Sequence, residues 1–315
     1  MTVTVRDIAR RVNVSHTMVS RVLSANSKFP VSAAKRELIV AAAKELGYRP
    51  NHAARTLATG QSRVIALQIF DMENPFMQRV ARRLTEMLAA DDYDLIVHGF
   101  SGSFSRVRSS IDGAFLLSRD SLPLDVDHCP LVAIGSYAAP TIDSVFVDLK
   151  VGACEAVTHL LKTGRRRIVY VSSDEHDERD GRSVAFNATI QSAGLEPLTL
   201  HVVRNRQDDG WAALSAYLRE HSAPDALFCQ NDQIAQGCYR ALREAGLRIP
   251  RDVAVIGCDG VDWNDYQYPA LGSIEQPVNE MCEIGWDFLR RRIADPSIPR
   301  QEAMLIAKFN PRDSC

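Results

Sequence analysis

The sequence predicts two kinds of fold in series. A small all-α head of helix-turn-helix type precedes an α/β body of parallel sheets with helices on both faces. Three observations predict this. Residues 4–60 carry short runs of helical period, each opened by a capping residue. From Arg63 onward, short apolar runs alternate with amphipathic stretches, as in βαβ units. Charge divides the same way: residues 1–62 hold ten Lys or Arg against three Asp or Glu, a net of +7, which leaves about −9 for the rest of a chain whose formal total is −2. A basic tip on an acidic body suits a segment that meets phosphate while the remainder avoids it.

In the head, Thr4 is a candidate N-cap, and Val5, Ile8, Ala9 and Val12 recur at the spacing of one helix face. Asn13-Val14 breaks the pattern, and Ser15 caps a second helix over about 16–24. Met18, Val19 and Val22 turn inward there, while His16, Thr17, Ser20 and Arg21 turn outward. A third helix starts after Ser32 and runs to about Leu46, with Ile39, Ala42, Ala43 and Leu46 inward, and Gly47 supplies the left-handed position beyond it. Two short helices, a tight turn and an exposed face of hydrogen-bonding side chains match a helix-turn-helix. Three helices of this size bury a small core, so the head is a platform for the second helix.

Some 250 residues follow, enough for one large α/β unit or two lobes. Strands are expected at 64–70, 93–98, 113–117, 131–134 and 145–147, then at 167–172, 198–203, 226–229 and 253–257. An amphipathic helix ends near Ala90, and others lie at about 151–163, 181–193, 209–221 and 232–245. Trp211, at helical spacing with Leu214 and Leu218, reads as core, and Asp232 reads as the N-cap of its helix. Only about ten residues, 101–110, separate two successive strands, which predicts at most two turns of helix or a bare loop there.

Several classes are disfavoured. No run of eighteen apolar residues exists, which argues against a transmembrane helix, and the first residues lack an export signal, so a cytoplasmic, non-membrane protein is expected. Seven dispersed cysteines without a CxxC pair read as reduced thiols with no zinc site. No phosphate loop, nucleophile motif or HExxH appears, so neither catalysis nor a cofactor is expected. The acidic run from Ser173 to Asp180 fits no metal-ligand spacing and reads as a solvated loop.

The words RDIARRVNVSHTMVSRVL, AAAKELGYRPN and ARTLATGQS in the head give a close resemblance to a known family. So do NPF, VDLKVGACEAVTHLLKTGRRRIVYVS, GRSVAF, ALFCQNDQIAQGCYRALREAGLRIPRDVAVIGCDG and YPALGSIEQP in the body. The chain resembles the lactose-repressor/galactose-repressor (LacI/GalR) family of bacterial transcription regulators over nearly its whole length. The resemblance implies a DNA-binding head at 1–49, a hinge at 50–60 and an effector-binding body at 61–315. The body would have the fold of periplasmic sugar-binding proteins, with lobes at about 61–147 plus 276–303 and about 148–275 plus 304–315, and crossings near 148, 275 and 304.

By position, Ser15, His16, Thr17 and Arg21 match residues that face bases, and the fork of Arg21 suits guanine O6 and N7. Thr4, Ser20, Asn26, Arg36, Asn51 and Arg55 would contact phosphates. Leu57 matches the family's minor-groove wedge, on a hinge helix that forms only on the operator. So short a helix is unstable alone, and pairing with its twin plus burial of Leu57 would offset the ordering cost.

In the body, Arg182 and Asp259 match the family's ligand-facing Arg and carboxylate, while Asn231, Asp71 and Phe76 follow strand ends and Gln276 lies on a crossing. The implied partners are a pseudo-palindromic double-stranded DNA operator, a small sugar-like effector and a second copy of the chain. There are departures: the ANSKFP loop before the third helix, Leu149 for the family's Asn, and Asn205 for a ligand-facing aromatic, which Trp263 could replace. The alternative reading is a sugar or nucleoside receptor with a non-functional head, which the +7 head and the missing export signal disfavour.

Overall fold

The computed structural model describes residues 3–23, 30–48, 56, 60–99, 110–117, 129–137, 139–173 and 180–315. The head contains α1 (Val5–Arg11), α2 (His16–Val22) and α3 (Ala33–Glu45). Asp7 reaches back to the start of α1, accepting from Thr4 N at 2.9 Å and Thr4 Oγ1 at 2.6 Å. Ser15 Oγ accepts from Met18 N at 3.2 Å and so opens α2, which ends two residues earlier than the sequence predicts. Gly47, at φ +67°, lets Tyr48 N bond back to Ala43 O and stops α3. Ile8, Val19 and Ile39 meet in the fully buried centre of the three helices. The ANSKFP loop up to Phe29, the hinge apart from Thr56 and Gly60, and the crossover at 101–109 lie outside the described residues.

In the body the strands are β1 (Val64–Ile69), β2 (Asp94–Gly99), β3 (Gly113–Leu117), β4 (Leu131–Gly135), β5 (Asp143–Asp148) and β6 (Ile168–Ser172). They continue with β7 (Leu198–His201), β8 (Ala226–Cys229), β9 (Ala254–Asp259), β10 (Gly272–Glu275), β11 (Glu302–Ile306) and β12 (Lys308–Asn310). Two sheets result, ordered β11-β5-β4-β3-β1-β2 and β12-β10-β9-β8-β6-β7. All pairs are parallel except β10 with β12. The fully buried pattern of β3, β4, β6, β8 and β9 reflects helices on both faces. These are α4 (Pro75–Ala90), α5 (Lys150–Lys162), α6 (Gly181–Ser192), α7 (Gln207–Glu220), α8 (Asp232–Glu244) and α9 (Val278–Ala294).

The chain passes between sheets at Leu149, at Gln276-Pro277, after which α9 packs on β4 and β5, and at Ala307. The last crossing falls three residues beyond the expected 304. Met304, Leu305 and Ile306 still pair with Phe146, Val147 and Asp148, so the ladder ends before the chain changes sheets. Trp211, expected in the core, is only half buried at the seam of α7 and α8, where its Nε1 donates to Glu244 Oε2 at 2.7 Å.

That seam is unusually close because glycine stands on both sides of it. A Cβ on Gly237 would overlap the carbonyl oxygen of Gln207 and lie 2.7 Å from Trp211 N; one on Gly210 would lie 2.6 Å from Ile234 O. Gly237→Ala should therefore force the helices apart and cost about 1–3 kcal/mol, read as a lowered Tm in thermal denaturation. An unchanged Tm would show that the seam yields freely.

Candidate functional site

On the head, Ser15, His16, Thr17, Ser20 and Arg21 are exposed while Val19 and Val22 are buried, so α2 turns a polar face outward. Two predicted contacts are already engaged: the Thr4 hydroxyl with Asp7, and Ser15 Oγ as the cap of α2. Arg36 is half buried on α3. Asn26, Asn51, Arg55 and Leu57 lie outside the described residues.

In the body, a cavity of about 140 Å³ opens between the lobes, at the carboxyl ends of the strands of both sheets. That is where a doubly wound sheet places ligands, because strand order reverses there and the flanking loops diverge. Phe76, Arg182, Asn231, Asp259 and Gln276 all line it. Asp71 does not. Its Oδ1 accepts from Glu73 N at 2.9 Å and faces Arg206 of the other lobe at 3.4 Å, and Arg206 also pairs with Glu73. The turn after β1 thus clasps the opposite lobe. To the cavity it gives Phe70 and Asn74, and Asn74 Oδ1 caps α4 by accepting from Phe76 N and Met77 N. Trp263 does not line the cavity either; it lies in the short 3-10 turn Asp262–Tyr266, half buried against the core.

Arg182 belongs to a buried ion pair. Asp180 Oδ1 accepts from Arg182 Nε at 2.9 Å and Arg182 N at 3.0 Å; its Oδ2 accepts from Gln230 Nε2 at 3.2 Å and Tyr170 Oη at 3.4 Å. Arg182 Nη1 donates to Gln230 O at 2.5 Å. Burial pulls the Asp180 carboxyl upward, but the charge and hydrogen bonds of Arg182 outweigh it and hold Asp180 below the ordinary range. The solvated loop expected for the acidic run is therefore wrong at Asp180, which is 2% exposed; residues 174–179 lie outside the described residues.

A second carboxylate behaves in the opposite way. Burial, then the negative charge of Asp232, push Asp259 up to about 8, although Gln276 Nε2 donates to its Oδ1 at 2.9 Å. Its backbone is held at φ +122°, where a non-glycine residue costs about 1–3 kcal/mol. Asp232 is not the N-cap expected: Asn231 is, accepting from Ile234 N at 2.8 Å while its Nδ2 donates to Asn205 O at 3.1 Å. Asp232 is instead a buried strut. It accepts from Ser273 Oγ at 2.7 Å, Asn264 Nδ2 at 2.8 Å and Val261 N at 3.0 Å, and burial still raises it to about 6.

Two buried wall oxygens, Asn205 Oδ1 and Gln276 Oε1, have no hydrogen-bond partner among the described residues. Such acceptors call for donors from whatever fills the cavity. Sequence reasoning missed Gln230, Ser136 and Tyr137 on the wall, although Gln230 and Ser136 directly follow strands, Tyr137 comes one residue later, and the strand-end rule would have found them. Among the described residues no helix is long and apolar enough to cross a membrane.

Comparison with known proteins adds the family. The description "Bacterial regulatory proteins, lacI family" matches residues 4–51, and "Periplasmic binding protein-like domain" matches residues 157–315. The ribose operon repressor of Haemophilus influenzae is 28% identical, covering 93% of each chain. The probable HTH-type transcriptional repressor ExuR of Bacillus subtilis is 27% identical over 99% of this chain and 98% of its own. Among solved structures, a LacI family transcriptional regulator from Enterococcus faecium with bound ribose is 26% identical, with a TM-score of 0.73 over 80% of this chain and 98% of that one. The lac repressor dimer bound to operator and the anti-inducer ONPF, 22% identical, shares the fold at a TM-score of 0.83 over 100% and 99% of the two chains.

The raised Asp259 sets a pH dependence. Its folded pKa of about 8 exceeds the ordinary 3.8, so the folded state holds an extra proton between those values, and stability falls as pH rises across that window. Asp232 has the same sign but is spent by about pH 6. Between pH 6 and 8 the ligand-free protein should lose up to about 2 kcal/mol that Asp259→Asn does not lose, measured as Tm against pH. Parallel profiles for the two proteins would refute the assignment.

Proposed function

The chain belongs to the lacI family of bacterial regulatory proteins and is a sequence-specific DNA-binding transcription regulator; we propose that it is a cytoplasmic, homodimeric repressor whose hold on its operator is set by a small sugar-like effector in the cleft. The observation that carries this reading is the acceptor-lined cavity walled by both lobes. A ligand that touches both lobes favours one of their relative orientations, and that preference is the coupling free energy available to the head. The relative from Enterococcus faecium holds ribose. Arg182, Asp259, Asn231, Gln276 and Phe76 are the effector-facing side chains of the proposal; Asp71 serves it only through the clasp with Arg206. We read the site as one of binding, not catalysis.

On DNA, His16, Thr17 and Arg21 would read base edges from α2, with Ser15 at its start, while Thr4, Ser20, Arg36, Asn26, Asn51 and Arg55 position the backbone and Leu57 enters the minor groove. The corresponding division is a head at 1–49, a hinge at 50–60 and a body beyond it. Tyr266 and Tyr268, 87% and 97% exposed on the same lobe, are large apolar surfaces suited to contact with a second copy. A two-fold dimer then implies a pseudo-palindromic operator with half-sites about one turn, ~10 bp, apart.

Arg21→Ala should lower discrimination against a changed base pair by about ten- to a hundredfold, a loss of about 1–3 kcal/mol, while non-specific binding persists. Fluorescence anisotropy on the operator found by footprinting measures this. Failure to find any two-fold footprint, with or without carbohydrates, would overturn the repressor reading.

A further inference from the structure

Among the described residues that line the cavity, Arg182 is the one permanent cation. Its counter-ion is Asp180, itself 2% exposed and bonded to Arg182 Nε at 2.9 Å, with Gln230 and Tyr170 fixing the second carboxylate oxygen. Asp180 stands behind the wall; the acidic residue among the described lining residues is Asp259, pushed up to about 8 by burial and so mostly protonated at neutral pH. The charge that Arg182 brings to the described wall is therefore offset from behind by Asp180.

We propose that Asp180 is a specificity-determining residue: by cancelling Arg182 it makes the cavity select an uncharged monosaccharide ring over a sugar acid or sugar phosphate. The inference rests on the effector reading above and narrows it. An anionic ligand drawn to the guanidinium also feels the carboxylate held against that same group. Attraction and repulsion nearly offset, and the desolvation cost of the anion is left uncompensated. A neutral hydroxyl-bearing ring leaves water at a much smaller cost than an anion, provided its hydroxyls find hydrogen bonds in the cavity. Its donors meet Asn205 Oδ1 and Gln276 Oε1, which otherwise lack partners among the described residues, and its oxygens accept from Arg182 without needing net charge.

The test uses the full-length protein, wild type and Asp180→Asn. Asparagine keeps a side-chain oxygen for the cap of α6 and for Arg182 Nε but removes the charge. Binding of ribose, glucose and galactose is compared by calorimetry with that of galacturonate, glucuronate and glucose 6-phosphate, alongside operator affinity. Wild type should bind at least one neutral ring ten times or more tighter than the matched acid, and Asp180→Asn should move that ratio tenfold or more towards the acid. A wild type that prefers an acid or phosphate, or a ratio unchanged by the substitution, overturns the role of Asp180 and leaves the effector reading standing. No binding by any of the six, with operator affinity indifferent to all, removes the sugar effector and this inference together. Should that variant not fold, Asp180→Ser, which also keeps an oxygen for the cap and removes the charge, takes its place in the same comparison.

Discussion

Where α8 begins, the carboxylate of Asp232 gathers Ser273 from β10, and Val261 and Asn264 from the turn after β9. The turn and β10, both remote in sequence from the start of α8, are pinned to one buried group. The turn so fixed presents Asp259 with its backbone at φ +122°, a conformation that persists only when the surroundings over-determine it. The same helix start places Asn231 and Gln230 on the cavity wall. The strut also acts at a distance, because its charge is the second cause, after burial, that keeps the Asp259 carboxyl protonated. Geometry and electrostatics of this half of the cleft therefore share one anchor. Removing it would leave buried donors unpaired and release the strained turn together.

Several polar ties cross from one lobe to the other. Arg206 meets Asp71 and Glu73 at one side of the cleft; at another, Arg79 donates to Gly260 O at 2.6 Å and Arg82 pairs with Asp262 at 3.0 Å. Partly exposed pairs of this kind contribute little each, typically below about 1 kcal/mol. The apolar cores of the two sheets hold far more. A ligand worth a few hydrogen bonds can thus compete with the interlobe ties without disturbing either sheet.

The fold was largely legible because its strands are short apolar runs between turn residues, as in GAFLL of β3 and ALFC of β8, and because the head's helices announce their caps at Ser15 and Gly47. Legibility failed where one residue decides the outcome. Asn231 and Asp232 are both good caps, and only the tertiary contacts of Asp232 show which is the strut. The segment EAMLIAKFN carries no break to mark Ala307 as the point where the chain changes sheets. Asp71 follows a strand as the cavity residues do, yet the clasp with Arg206 takes it and Asn74 fills its place. Asp180 was hidden by its acidic neighbours. Its burial depends on Gln230 and Tyr170, which no local pattern connects to it.

The final crossing has a mechanical consequence. Ile306 ends β11 in one sheet and Lys308 begins β12 in the other, so a single peptide unit on either side of Ala307, each spanning about 3.8 Å between Cα atoms, is all the slack available. Ala307 is itself fully buried, and its N–H is held by Asp148 O at 3.0 Å beside the first crossing. So short a tether cannot lengthen. The halves of the body can swivel about it, like plates on a common pin, but they cannot draw apart without unzipping a strand.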